Sequence, residues 1–167
     1  GHPPADQLDA SPPYRESAGI PQSMAELIVP LPYNDIAALE AAVERHKDEV
    51  GTILIEPVDF NCGCILPEPG FLERARELAS EHNMVLFFDE IQSFAKKSAG
   101  GAQQDFGVTP DICTIGKSLG AGLPLSAILG SAELMDRYKP VGDVAHSGTF
   151  NAPLTSILAG LAFVAEI

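Results

Sequence analysis

At 167 residues, 46% of them hydrophobic and 20% charged, the chain has material for one compact core, is too short for two ordinary domains and is too apolar to be disordered. Ten Lys and Arg against 23 Asp and Glu leave a formal charge of −13, so no basic footprint is present for a nucleic acid or an anionic membrane surface. No apolar run reaches the roughly 18 residues of a membrane span, and the start lacks the basic-then-apolar order of a signal peptide, so a reduced, cytoplasmic setting is expected.

Residues 1–33 hold half of the fourteen prolines and read as an extended lead-in. Asn34 stands at an N-cap position before a helix over 35–46, where Ile36, Leu39 and Val43 recur at helical spacing. The apolar run 52–55 reads as a buried strand ended by Glu56-Pro57. Pro69-Gly70 opens a second helix over 71–82, and 84–88 is a second buried strand. After a Gly100-Gly101 loop come shorter strands at 112–115 and 125–129, a short helix at 132–138 and a longer one at 153–167. Helices alternating with fully apolar strands predict an α/β fold, a mostly parallel sheet flanked by helices. The expected organisation is the lead-in 1–33, one domain over 34–152, and at 153–167 the start of a helix leading out of it. With no stop signal at Ala165-Glu166-Ile167, the chain is expected to be a fragment of a longer one.

Cys62, Cys64 and Cys113 are too few and too unevenly spaced to close a tetrahedral zinc site, and are expected to be core or loop residues with no metal. Chemistry in such a sheet belongs at the carboxyl ends of the strands. One end delivers Asp89 and Glu90, another Gly116-Lys117-Ser118. Spacing alone leaves two readings open. Asp89 and Lys117 form a catalytic pair, or Asp89 caps a turn and Lys117 is solvated. Gly116-Lys117-Ser118 is not the tail of a P-loop, because the first glycine of that motif falls at Asp111 and Gly120 to Pro124 break the helix that should follow. Gly120-x-Gly122 also lacks the third glycine of a dinucleotide fingerprint, which disfavours a plain nucleotide binder.

The ordered blocks Ile55-Glu56-Pro57-Val58, Phe88-Asp89-Glu90-Ile91, Gly100-Gly101-Ala102-Gln103, Thr109-Pro110-Asp111-Ile112, Ile115-Gly116-Lys117 and Gly148-Thr149-Phe150 carry a resemblance over roughly residues 20–167. In them the chain resembles the class III aminotransferases, pyridoxal-phosphate enzymes of fold type I, and within these the aminomutase and β-amino-acid aminotransferase branch. The resemblance implies a partial large domain of such an enzyme. It implies Lys117 as the Schiff-base lysine that also shuttles the substrate proton, and Asp89 as partner of the pyridinium nitrogen. Ile91 would pack on the cofactor ring and Gln92 would lie near the ring's oxygen. Thr149 would reach the phosphate of the neighbouring subunit's cofactor, so a homodimer with shared active sites is implied, acting on an amino acid or amine by amino-group transfer or an intramolecular 2,1-shift.

Glu56-Pro57 is either a strand terminator or part of the site, and His146 either lines the site or is an ordinary packing residue. Asn61 stands where ornithine-type members carry a glutamate, and Phe94 is followed by Ala95-Lys96-Lys97 rather than the frequent arginine, so substrate recognition is expected to differ. The family's phosphate-binding turn and ring-stacking aromatic lie upstream of this chain, and its small domain downstream. The 167 residues alone are therefore expected to be inactive. The alternative is a non-catalytic fragment or degenerate paralogue, which chain length and cofactor binding would distinguish.

Overall fold

Apolar residues at every second position of three strands decide which face of the sheet is covered. The computed structural model describes residue 15 and residues 17–167; the first fourteen residues of the expected lead-in lie outside them. The described part of that lead-in holds a one-turn helix, α1 (Gln22–Ala25), followed by irregular chain. The remaining elements are α2 (Ile36–His46), β1 (Thr52–Ile55), α3 (Phe71–Glu81), β2 (Val85–Glu90), α4 (Gly101–Phe106), β3 (Ile112–Ile115), a 3-10 turn (Lys117–Gly120), β4 (Ala127–Gly130), α5 (Ala132–Met135) and α6 (Leu154–Glu166).

The sheet runs β1-β2-β3-β4, parallel across the first three strands and antiparallel at β4. Ile53, Ile55, Leu86, Phe88, Cys113 and Ile115 turn to one face, where they form a single cluster with Leu39 and Val43 of α2 and Phe71, Leu72, Ala75, Leu78 and Ala79 of α3. Leu119 of the 3-10 turn joins that core, which fixes the residues just after Lys117 to the body of the domain. The opposite face carries Leu54, Phe87, Asp89 and Thr114, and Leu54 is 61% exposed. One face is thus sealed by helices and the other is open among the described residues.

Several local details differ from expectation, among them β4, which runs over 127–130 rather than 125–129, and α5, which ends at Met135 rather than at 138. The cap of α2 is Asp35, whose Oδ1 accepts from Ala38 N at 2.9 Å. Asn34 instead has φ +65, accepts from Glu68 N and donates to Leu66 O, both at 2.9 Å, which ties the start of α2 to the segment entering α3. The strand expected at 84–88 runs on to Glu90, so both carboxylates belong to the strand itself. The Gly100-Gly101 loop is followed directly by a helix, α4, for the reason given below.

Candidate active site

Because the strand period is two, Asp89 and Glu90 leave β2 on opposite sides. Glu90 enters the core face and is fully buried. Its Oε2 accepts from Ala102 N at 2.5 Å and Ser93 Oγ at 3.0 Å; its Oε1 accepts from Gln103 N at 3.2 Å and Gln103 Nε2 at 3.1 Å. The carboxylate therefore caps α4 from across the fold, satisfying N-terminal amides that no local side chain serves. Gly101 is required here: it has φ +74, and a Cβ on it would overlap Glu90 Oε2. Sequence reasoning assigned Glu90 no role, and only the buried apolar pattern of 84–88 continued by two residues could have hinted at one.

Asp89 faces the open side and is half-buried. Its Oδ1 accepts from the backbone N–H of Ile91 at 3.0 Å and from Thr114 Oγ1 at 3.3 Å, the latter its register partner on β3. Those two donors fix the carboxylate and leave Oδ2 uncommitted. Ile91 packs on the neck of the next strand: a Cβ on Gly116 would sit 3.0 Å from Ile91 Cδ1 and 3.7 Å from its Cγ2. Gly116 is thus small because Ile91 lies over it.

Lys117 follows at φ +44, a left-handed conformation uncommon for a residue with a side chain. It is exposed, and among the described residues it makes no ion pair with Asp89 or any other carboxylate. A carboxylate and an amine thus stand on adjacent strand ends without pairing with each other. Gln92 donates from Nε2 to Asn61 Oδ1 at 2.9 Å, and Asn61 Nδ2 donates to Glu56 Oε1 at 2.9 Å. The end of β1, the loop after it and the turn after β2 are therefore laced together beside Asp89.

Thr149 lies on an exposed irregular segment and, among the described residues, makes no hydrogen bond to Asp89, Ile91, Gln92 or Lys117. His146 packs edge-on against Tyr138, ring centroids 5.8 Å apart. Cys113 is in the core, where burial pushes its thiol up, while Cys62 and Cys64 lie in the loop closed by the Asp59–Ile65 bridge. A cavity of about 690 Å³ runs along the free edge of β1 beneath residues 27–33, but it reaches the constellation only at Glu56 and Asn61.

The residues present suit the ring half of a pyridine cofactor. An uncommitted carboxylate oxygen can accept from a ring N–H, a branched side chain can cover one ring face, and a free amine can meet a carbonyl carbon. The family model "Aminotransferase class-III" matches residues 12–167, and enzymes of that family depend on pyridoxal phosphate. Glutamate-1-semialdehyde 2,1-aminomutase of Methanocaldococcus jannaschii is 43% identical over 151 residues, which are 90% of this chain and 35% of that enzyme. Among solved structures, an omega-transaminase from Sphaerobacter thermophilus superposes with a TM-score of 0.85 at 40% identity, over 90% of this chain and 35% of its own. A transaminase with PLP bound superposes with a TM-score of 0.86 at 29% identity, over 92% and 37%. The chain thus spans about a third of the length of the relatives it matches.

Proposed function

The chain belongs to the class III aminotransferase family, and on that premise we propose that it forms part of the large domain of a pyridoxal-phosphate enzyme transferring an amino group, with Lys117 as the residue that holds the cofactor covalently. The observation that carries the reading is the placement of Asp89 and Lys117 at the carboxyl ends of neighbouring parallel strands, bridged by the contact of Ile91 with Gly116.

When bound, pyridoxal phosphate supplies an electron sink for the carbon that carries the substrate's amine. Asp89 Oδ2 would accept from the ring N–H, while Ile91 N and Thr114 Oγ1 keep the carboxylate from turning. Ile91 would cover one face of the ring. Lys117 Nζ, on an exposed side chain two residues before the core-anchored Leu119, would take the proton from the substrate carbon and return it. Gln92 would lie near the ring's oxygen.

The protein acts as a homodimer in this reading. Thr149, on an exposed segment beside Phe150, would donate a hydrogen bond from its hydroxyl to a phosphate bound on the partner protomer. The substrate is an amino acid or amine, and the aminomutase and transaminase names of the relatives favour amino-group transfer or an internal 2,1-shift. In domain terms, 34–152 belong to the cofactor-binding part and 153–167 to a helix leading from it. The free thiols suit a reducing, cytoplasmic compartment.

Half-reaction spectroscopy tests the proposal. The protein loaded with pyridoxal phosphate is expected to change absorbance when an amine donor is added, and to revert with an oxo-acid acceptor. A wild-type protein whose spectrum responds to neither would contradict it.

A further inference from the structure

Cys62 and Cys64 stand two apart in the loop between β1 and α3, outside the residues that the proposed function uses. Both are thiols in the structure, Cys62 half-buried and Cys64 exposed. The loop that carries them is a tight hairpin. Asp59 N donates to Ile65 O and Ile65 N to Asp59 O, each at 3.0 Å, which encloses residues 60–64. The buried carboxylate of Asp59 accepts from Cys62 N at 3.0 Å, and Phe60 O accepts from Gly63 N at 3.4 Å. The loop's own hydrogen bonds thus hold the backbone that carries the two thiols.

Two consecutive trans peptide units limit the Cα separation of residues two apart to about 7.6 Å, and any bend shortens it. A disulfide spans about 4.4–6.8 Å between Cα atoms. The bend is present here, since Gly63 has φ +111 and Cys64 has φ +60. Gly63 puts no side chain between the thiols, and the space beside it is open: an added Cβ would meet nothing within 4 Å. Among the described residues no group of three or more His, Cys, Asp or Glu side chains could hold a metal ion. What two neighbouring thiols do without a metal is exchange with a disulfide.

We infer that Cys62 and Cys64 are a reversible thiol-oxidation site, a dithiol that a small-molecule disulfide of the glutathione type closes into an intramolecular disulfide. The exposed Cys64 reacts first. Its sulfur loses a proton to solvent and attacks one sulfur of the oxidant; the oxidant's S–S bond breaks, and one thiolate leaves and takes up a proton. The Cys62 sulfur, its proton also given to solvent, then attacks the Cys64 sulfur of the mixed disulfide and releases the second thiol. Two protein thiols are oxidised and one small disulfide is reduced to two thiols, a two-electron exchange. The ring so closed encloses a single residue. A ring that small is strained, so the reduced small thiol reopens it. Asn61, next in the chain, is bonded to Gln92, which sets this exchange beside the candidate active site.

Oxidised glutathione added to the reduced, folded protein tests this, with iodoacetamide trapping and peptide mapping by mass spectrometry. The expected product is a peptide containing residues 62–64 that is lighter by two hydrogens and retains no glutathione. Excess reduced glutathione is expected to restore both thiols. Cys113, buried in the core, is the internal control and is expected to be alkylated only after denaturation. C62S is expected to stop at a stable glutathione adduct on Cys64. C64S, left with the half-buried thiol, is expected to take up glutathione about tenfold more slowly than C62S.

Wild type that retains glutathione on Cys64, or links to a second chain through it, would overturn the inference. So would ring closure seen only when Cys113 reacts as well, because the exchange would then belong to the unfolded chain.

Discussion

Asp89 and Glu90 are consecutive carboxylates on one strand, and their environments give them opposite uses. Glu90 is sealed in the core with four hydrogen-bond donors around it, two of them backbone amides of α4. Removing it leaves those donors buried without an acceptor, so Glu90→Ala is expected to lower stability by about 3 kcal/mol, read as a fall in the urea midpoint. Asp89 keeps one oxygen uncommitted on the open face. Lys117→Ala is expected to lower kcat/KM by about 10³-fold or more with an unchanged urea midpoint, because the exposed amine supports no packing. Each strand-end residue could be placed from the sequence, since an apolar run followed by a charge locates a strand end. Which carboxylate faces the core could not, because the sequence hides where the strand stops and which face its neighbours cover.

Among elements, those built from local signals were legible and those built from distant contacts were not. The strands 52–55 and 112–115 and the second helix follow from apolar periodicity and a preceding glycine, and they stand where expected. Helix α4 does not: two glycines open it, and its cap is Glu90, eleven residues before Gly101 in the chain and on another element. The Tyr33 hydroxyl, bound to Pro57 O, ties the segment before α2 to the end of β1. Burial first, then the carboxylates of Asp59 and Glu56, push that phenol above its ordinary range. The unfolded chain ionises Tyr33 more readily than the folded one, so the phenol's contribution is complete below about pH 10 and is lost as pH rises beyond it. Urea midpoints measured from pH 8 to 11 are expected to fall at the alkaline end, and less steeply in Tyr33→Phe; equal slopes would argue against this tie.

For the whole molecule, the imbalance between the two sheet faces is the dominant feature. One is covered by α2 and α3, whereas the face bearing Asp89 shows Leu54, and α6 shows Leu154, Leu158 and Leu161 to solvent. Both β1 and β4 are edge strands of the described sheet. Apolar patches and open edges of this kind mark surfaces that are covered in a working assembly. A polypeptide restricted to residues 1–167 is therefore expected to self-associate in light scattering; a monodisperse monomer would count against that view. The α/β class and the parallel core were readable from alternating apolar runs. What covers the open face was not, because a solvent-facing leucine and an interface leucine have the same local pattern.

The central claim is that Lys117 holds the cofactor, and borohydride reduction tests it most directly. The protein is incubated with pyridoxal phosphate, reduced, digested and mapped by mass spectrometry. A single reduced adduct on the peptide containing Lys117, absent from Lys117→Ala, is the predicted result. Adducts spread over Lys96, Lys97 and Lys139 with none on Lys117 would contradict the account.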